Sequence, residues 1–187
     1  MPTNGLVVMT PTSIAYSGTS ASINADGSVD FSAVTSLSLN GVFTGDYDNY
    51  MITMRMEHNA TTASSYEGVR ARLRASGTDN STASSYTGQF INAASTTVSG
   101  SRASYDFGFA GVAAWNANKH NGVQLSLFGP YLAQPTAART TTISAYLGGE
   151  IYDAAWTHNQ SVSYDGLTMY VTAVSFTGLL TVFGFNQ

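Results

Sequence analysis

The sequence has no cysteine, a single lysine and few charged residues of either sign. Charged residues make up 10% of the 187 positions, whereas a typical soluble domain has about 25%. The lack of cysteine excludes disulfide frameworks, thiol catalysis and thiolate zinc sites. The net charge of −4 argues against a nucleic-acid partner, because such binders need a basic surface. No apolar run approaches the ~18 residues of a membrane span. We therefore expect neither a nucleic-acid nor a membrane partner. No basic segment precedes the first apolar run, so no signal peptide is expected.

Small polar and aromatic residues take the place of the missing charges. Serine and threonine together account for 46 residues, and the chain also has 18 glycines, 11 tyrosines and 9 phenylalanines. Apolar residues make up 43% of the sequence, which is enough to build a hydrophobic core and excludes disorder. The length fits one ordinary domain.

Apolar and polar residues alternate with a period of two along much of the chain. The pattern is clear in residues 50–58, and it is strict from Val69 to Arg74, where Val, Ala and Leu alternate with three arginines. Residues 123–128 and 167–172 show it as well. Such alternation is typical of strands with one buried face. We expect roughly ten to twelve short strands and almost no helix. The predicted fold class is all-β, an antiparallel β-sandwich of the jelly-roll type.

Turn-forming dipeptides separate the predicted strands. Each pairs Asp or Asn with Gly, a combination that supplies positive φ in tight hairpins. They are Asp26-Gly27, Asn40-Gly41, Asn121-Gly122 and Asp165-Gly166.

The first 45 residues differ from the rest of the chain. Asp26 and Asp30 are their only charged residues, and short β-prone fragments alternate with stretches of small residues. An uncharged β-prone segment is an aggregation hazard when it is exposed. We therefore interpret residues 1–45 as an extended β arm packed on a neighbouring subunit, and residues 46–187 as the β-sandwich domain. An ordinary pair of hairpins in the same sandwich explains the pattern equally well.

The predicted strand from Val69 to Arg74 carries a row of positive charge. Side chains at i and i+2 share one face of a strand about 7 Å apart, which places Arg70, Arg72 and Arg74 in a ladder. One interpretation is a groove for an anionic polysaccharide or for a partner's carboxylates. The other, which we favour, is a solvated or subunit-facing strip paired with Glu57, Glu67 or Asp79.

Aromatic residues are numerous enough to supply sugar-stacking surfaces as well as a core. Tyrosine suits half-buried strands, so most aromatics are expected in the sandwich or at subunit interfaces. We single out Trp115, Tyr131 and Trp156 as candidate surface-contact residues. With the three arginines they complete the predicted contact set.

No catalytic, cofactor or metal-binding pattern emerges from the sequence. His58, His120 and His158 are far apart and form no metal-binding motif, and no pair of carboxylates stands out as the acid and base of a glycosidase. Asp46 and Asp48 fit a turn better than a calcium loop, because the twelve-residue calcium-loop pattern ending in Glu is missing. We therefore expect a protein that is not an enzyme and holds no cofactor or metal.

The final segment, residues 178–185, is apolar on both faces of a predicted strand. This is typical of an inner strand that is covered on both sides. We therefore expect Phe183 to be a core residue whose truncation costs about 3–5 kcal/mol.

Several blocks together resemble small virion proteins of tailed bacteriophages, of the minor tail or tail-fibre type. The blocks are VTSLSLNGVFTGDYDNYMITMRME from Val34, VRARLRASGTDNSTASSYTGQF from Val69, LFGPYLAQPTAARTTT from Leu127 and YDGLTMYVTAVSFTGLLTVFGFNQ from Tyr164. The resemblance carries no catalytic motif.

What the resemblance implies is a structural role in the phage particle, in the tail rather than the capsid. It implies a homotrimer as the assembly, with other virion proteins and a host cell-surface glycan or protein as partners. A capsid decoration protein that stabilises the phage head is the main alternative, and a polysaccharide depolymerase is a third. Copy number per particle separates the first two, and a sugar-release assay separates the third.

Overall fold

The computed structural model describes residues 5–59, 66–114, 121–144 and 149–186. All regular secondary structure in these ranges is β-strand, and no helix within them is long and apolar enough to cross a membrane. The strands are β1 Val7–Val8, β2 Ser13–Ile23, β3 Val29–Asn40, β4 Asn49–His58, β5 Tyr66–Ala75, β6 Thr78–Asp79, β7 Tyr86–Ala94, β8 Thr97–Tyr105, β9 Gly108–Ala114, β10 Asn121–Phe128, β11 Thr136–Ser144, β12 Glu150–His158, β13 Gly166–Tyr170 and β14 Phe176–Phe185.

The period of two in the sequence becomes one buried and one exposed face in most strands. In β11 every second residue from Thr136 to Ser144 is buried, and the residues between them are exposed. The predicted strands around residues 50–58, 69–74, 123–128 and 167–170 are all present. Every strand pairing is antiparallel. The predicted all-β antiparallel sandwich is therefore confirmed.

Strand β3 joins the two layers of the sandwich. It pairs with β14 through residues 29–34 and with β13 through residues 36–39, while β2 pairs with β3 along almost its whole length. Because β2 occupies one edge of β3, β13 and β14 share the other edge. One layer continues from β13 to β5 and β9, and the other from β14 through β4, β10, β11, β12 and β7 to β8.

The first layer folds over the second, and the core lies between them. Strand β9 packs across β10, β11 and β12. On β11 and β12 the inward-facing residues form cross-strand rows, such as Ala138 with Trp156 and Thr142 with Tyr152. The rows run from one end of this inner face, at His158, to the other end, at Glu150.

A hydrogen-bonded polar network fills the His158 end of the inner face. The His158 side chain is completely buried and stacks on the Tyr86 ring, with the ring centroids 4.1 Å apart. Its Nδ1 lies 3.2 Å from the Ser85 carbonyl oxygen and its Nε2 lies 2.6 Å from the Tyr164 hydroxyl. Since a carbonyl can only accept, Nδ1 carries the proton and the Tyr164 hydroxyl donates to Nε2. The Tyr164 oxygen in turn accepts from Asn80. We call these five residues the His158 network.

Two of the four predicted turn dipeptides form turns. Gly27 and Gly41 have positive φ angles of 85° and 68°. The other two dipeptides do not, because Gly122 lies inside β10 and Gly166 begins β13. At Gly166 a Cβ would overlap the Leu39 carbonyl oxygen, so this glycine allows a close approach of two strands instead of making a turn.

The predicted boundary between residues 45 and 46 does not separate two structural units. Strand β3 lies inside the sandwich, and Val29, Val34, Leu37 and Leu39 are completely buried in the core. Strand β2 is different, because among the described residues it pairs only with β3, and most of its side chains are exposed. Its contact with a neighbouring subunit stays a prediction.

Strand β14 is an inner strand, flanked by β3 and β4. Leu180 and Val182 are 1% exposed and belong to the core. Phe183 points to the other face, where every second residue is only half-buried. The expectation that Phe183 is a core residue is therefore wrong, because the second face of this strand is covered only in part.

Candidate functional site

The three predicted arginines share the outer face of β5, as the alternation requires. Val69, Ala71 and Leu73 on the opposite face are completely buried. The three arginines nevertheless have different surroundings.

Arg74 is an internal structural residue. It is 8% exposed, and its guanidinium pairs with Asp79 and donates to Ser38 Oγ at 3.0 Å and to Thr168 Oγ1 at 2.6 Å. The prediction of a surface contact at Arg74 is therefore wrong. The reason is the β5–β6 hairpin, whose Ser76 and Gly77 both have positive φ and which brings Asp79 back beside Arg74.

Arg72 is also neutralised within the protein. It forms an ion pair with Asp106, and Nε donates to the Asp106 carbonyl oxygen at 3.1 Å. Its guanidinium lies 4.8 Å from the centroid of the Tyr170 ring. Burial is the main cause that raises the pKa of Tyr170. Arg72 thus ties the segment before β9 to β5 and β13.

Arg70 differs from Arg72 and Arg74, because it forms no ion pair with any described residue. Its guanidinium lies over the Phe107 ring, 4.5 Å from the centroid. Such a cation–π contact holds the arginine in place without neutralising its charge. Arg70 therefore keeps its positive charge at the protein surface.

Phe107 is part of an aromatic cluster where the chain crosses from one layer to the other. Tyr105 and Phe107 stack with centroids 4.8 Å apart, and Phe109 meets both rings edge-on. Phe90 from β7 contacts Phe109 at 5.7 Å. The chain bends at Asp106 and Phe107, between β8 and β9, and this bend brings the three rings together.

A groove of about 330 Å³ runs along this cluster. We call it the aromatic cleft, and it is lined by Glu67, Gly68, Arg70, Phe90, Tyr105, Phe107, Phe109 and Thr172. The Oε1 atom of Glu67 accepts from the Thr172 backbone N–H at 3.1 Å and from its hydroxyl at 2.9 Å. The cleft thus combines aromatic ring surfaces with one cationic and one anionic group.

A second, smaller pocket adjoins the cleft and lies between the layers. Its volume is about 120 Å³, and it shares Gly68, Phe90 and Phe109 with the cleft. We call it the inner pocket, and its other lining residues are Gly111, Val112, Thr140, Thr142, Tyr152 and Ala154. It lies toward the Glu150 end of the inner face.

Buried oxygen atoms near the inner pocket are without hydrogen-bond partners. Among the described residues these include Thr142 Oγ1, Asn92 Oδ1 and Glu150 Oε2. Thr142, Tyr152 and Asn92 occupy one cross-strand row, and Glu150 begins the next. Burial raises the pKa of Glu150. This end of the inner face is therefore polar but incompletely satisfied.

Trp156 lies in the core, so the prediction of a surface contact there is wrong. It is 2% exposed, and its indole N–H donates to the Phe109 carbonyl oxygen at 2.9 Å. The indole packs against β9, where a Cβ on Gly108 would come within 2.5 Å of the ring. Trp156 faces inward because β12 alternates from Glu150 onward, and it supports the strand that carries Phe109.

The remaining predicted residues do not join the cleft. Tyr131 is 38% exposed on the loop between β10 and β11, and it lines neither the cleft nor the inner pocket. Trp115 and His120 lie outside the described residues. His58 and His158 are buried, and no three metal-binding side chains converge within the described ranges.

Four residues that line the cleft or the inner pocket were not predicted from the sequence: Phe90, Phe107, Phe109 and Thr142. A signal for two of them was present, because aromatic residues occupy every second position at Tyr105, Phe107 and Phe109. Phe90 and Thr142 come from strands far away in sequence, and only the pairing of the sheet brings them to the same place.

Comparisons with known proteins give structural likenesses only. No family model matches the sequence, and no curated protein matches it. The chain is similar in structure to a conserved carbohydrate esterase from Shiga toxin-encoding bacteriophage phi24B, with 12% identity, coverage of 97% of this chain and 100% of that one, and a TM-score of 0.44.

Two further likenesses have lower scores. The CBM2 module of the evolved Dit of Lactobacillus casei phage J-1 has 12% identity, coverage of 92% and 91%, and a TM-score of 0.28. Lectin II from Ulex europaeus has 9% identity, coverage of 94% and 95%, and a TM-score of 0.28. These comparisons assign the chain to no family.

Proposed function

We propose that the chain is a non-enzymatic structural protein of a tailed-bacteriophage virion, a tail or fibre component that contacts host-surface glycans. The observation that carries the glycan contact is the aromatic cleft with Arg70 at its side. Sugar rings pack on aromatic faces through their apolar C–H surfaces, and charged groups at the edge bind hydroxyl or carboxylate substituents. The resemblance of the sequence to phage minor tail and fibre proteins supports the virion location.

The cleft is better suited to binding than to hydrolysis. Glycosidases generally use two carboxyl groups about 5–10 Å apart across the scissile bond. Among the described lining residues the cleft has one carboxylate, Glu67, whose Oε1 is already engaged by Thr172. A sugar-release assay on host polysaccharide tests this, and released sugar would contradict a purely binding role.

The glycan contact is tested by substitution at Arg70. We expect Arg70→Gln to weaken binding to host envelope polysaccharide several-fold, because the charge that is free of ion pairs is removed. Arg102→Gln is the matched control, since Arg102 is an exposed arginine of β8 that does not line the cleft. Equal binding by both variants and the unsubstituted protein would remove the cleft from the proposal.

Self-assembly into a homo-oligomer is supported by the second edge of β2, which pairs with none of the described strands. This strand has no charged residue and no proline over its 11 residues, although proteins commonly protect exposed edges with such residues. Introducing lysine at Tyr16 and Ser20 is expected to convert the oligomer into folded monomer. Light scattering and far-UV circular dichroism check this, and an unchanged oligomer would exclude β2 from the interface.

The position of this protein in the particle distinguishes a tail component from a capsid decoration protein. A tail or fibre component is expected in far fewer copies per particle than a decoration protein. Immunogold labelling of intact particles should therefore mark the tail, whereas uniform labelling of the head would favour the decoration role.

A further inference from the structure

The inner pocket is apolar except for threonine and tyrosine oxygens. Among these, the hydroxyl of Thr142 differs from that of Thr140 in its hydrogen bonding. Thr140 and Thr142 lie two residues apart on the same face of β11, and both line the pocket. The Thr140 hydroxyl donates to the Phe109 carbonyl oxygen at 2.6 Å. The Thr142 hydroxyl has no partner among the described residues, although the residue is completely buried.

An unpaired buried hydroxyl destabilises a folded protein, so such a group calls for an explanation, and a bound molecule is one. A trapped water needs two to four polar partners. Of the other side-chain oxygens that line the pocket, the Thr140 hydroxyl already donates to Phe109 and the Tyr152 hydroxyl already accepts from Asn92, and the remaining side chains of the lining, such as Val112 and Ala154, are apolar. The surroundings of Thr142 therefore suit a group that is largely apolar and carries one or two polar atoms.

The volume of the inner pocket further limits which chemical groups can bind in it. Its volume of about 120 Å³ is smaller than the cavity of about 150 Å³ that holds a benzene molecule in an engineered protein. A whole sugar ring is too large, but a small substituent of a sugar in the adjoining cleft fits. The shared lining residues Gly68, Phe90 and Phe109 place the two spaces side by side.

We propose that the inner pocket binds the acetamido group of an N-acetylated sugar whose ring lies in the aromatic cleft. The methyl group packs between the phenylalanine rings and Val112, and the Thr142 hydroxyl donates to the acetamido carbonyl oxygen. This assignment rests on the proposed glycan contact of the cleft and adds its specificity. A free amine in the same place is rejected, because a buried ammonium group without a partner is costly.

The test uses isothermal titration with three β-1,4-linked trisaccharides: those of N-acetylglucosamine, glucose and glucosamine. We expect the N-acetylglucosamine trimer to bind at least tenfold more tightly than the glucose trimer, and the glucosamine trimer to bind most weakly. Thr142→Val should remove about tenfold of the affinity for the acetylated trimer, which corresponds to about 1.4 kcal/mol. The same substitution should leave the affinity for the glucose trimer unchanged.

Two further variants isolate the pocket from general effects on folding. Thr141→Val changes the adjacent exposed residue of the same strand and should bind all three trimers like the unsubstituted protein. Ala154→Val narrows the pocket and should abolish the preference for the acetylated trimer. The melting temperature of Thr142→Val should equal or exceed that of the unsubstituted protein, which excludes unfolding as the cause of weaker binding.

The outcomes separate this inference from the proposed function. Equal affinity for the acetylated and glucose trimers, combined with weaker binding of both by Arg70→Gln, overturns the acetamido assignment and leaves the glycan contact standing. Failure of all three trimers to bind also overturns the assignment, and the polysaccharide assay with Arg70→Gln then decides the proposed function by itself.

Discussion

The two ends of the inner face differ in how completely their buried polar groups are paired and in whether a cavity adjoins them. At one end the His158 network pairs Asn80, Ser85, Tyr164 and both nitrogens of His158 with one another. The Thr136 hydroxyl opposite His158 has no partner among the described residues. At the other end, oxygen atoms of Thr142, Asn92 and Glu150 are buried without partners among the described residues. The His158 end is thus largely paired, whereas three oxygen atoms are unpaired at the Glu150 end.

This difference distinguishes polar residues that stabilise the fold from those that are available to a ligand. A fully paired buried network stabilises one conformation, whereas buried groups without partners destabilise the chain until something binds them. A cavity adjoins the Glu150 end and shares lining residues with the aromatic cleft. We therefore propose a structural role for the His158 end and a ligand-binding role for the Glu150 end.

The largest expected effect comes from Trp156, whose cross-strand row lies between the two ends. Trp156→Ala should lower the free energy of unfolding by about 3–5 kcal/mol, because it empties a buried aromatic site. It should also weaken glycan binding, since β9 loses the ring on which it packs. Urea denaturation measures the first effect. Tyr131→Ala on the exposed loop should change stability by less than about 0.5 kcal/mol, and a similar loss there would contradict this division.

The next largest expected effect is a loss of stability on substitution of Tyr86, which belongs to the His158 network alone. The Tyr86 hydroxyl accepts from the Leu73 N–H at 3.0 Å and donates to the Asn80 carbonyl oxygen at 3.0 Å, and burial raises its pKa. Tyr86→Phe leaves both backbone groups unpaired and should cost about 1–3 kcal/mol. Glycan affinity should stay the same. A variant as stable as the unsubstituted protein would show that the network contributes nothing to the fold.

The two ends should also respond in opposite directions to pH. Burial lowers the pKa of His158 below 6.5, so the unfolded chain takes up this proton first and stability is lost as the pH falls below about 6.5. Burial raises the pKa of Glu150 above 4.5, so its contribution becomes less favourable as the pH rises through the folded-state pKa.

The check is a set of unfolding curves between pH 4 and pH 8. The stability that His158→Gln loses should be largest at pH 8 and should shrink toward pH 5. Glu150→Gln should stabilise the protein at pH 8 and have little effect at pH 4. Curves that stay parallel to those of the unsubstituted protein at every pH would contradict the assigned pKa shifts.

The smallest expected changes in the free energy of unfolding come from substitutions at two threonines of one strand. Thr140→Val loses one hydrogen bond to Phe109 and should cost about 0.5–1.5 kcal/mol. Thr142→Val removes a hydroxyl without a partner and should raise the free energy of unfolding by up to about 1 kcal/mol. Opposite signs for the two substitutions support the comparison, and equal losses would mean that the Thr142 hydroxyl is satisfied in solution.

The fold could be predicted because the period of two is a local property of the sequence. The alternation in residues 69–74 predicted both a strand and its buried face. The alternation in residues 50–58 and 123–128 did so as well. The sequence could not show that β3 joins the two layers, because that depends on its pairing with β13 and β14, more than 120 residues away.

The candidate site was predicted less well for the same reason. Arg70 was recognised from its strand, but its difference from Arg74 arises from the β5–β6 hairpin and Asp79. Trp156 was assigned to the surface because the direction of a side chain on a strand requires the register, which the residue type does not give. The partners of Phe107 and Thr142 are contributed by distant strands.

The most direct measurement is an intermolecular NOE experiment on the protein with the N-acetylglucosamine trimer. We expect contacts from the acetyl methyl protons to the ring protons of Phe90 and Phe109 and to the methyl protons of Val112. Thr142→Val should weaken these contacts, and Thr141→Val should leave them unchanged. Acetyl contacts only to Tyr105 or Phe107, with none to Val112, would place the acetamido group outside the inner pocket and contradict the account.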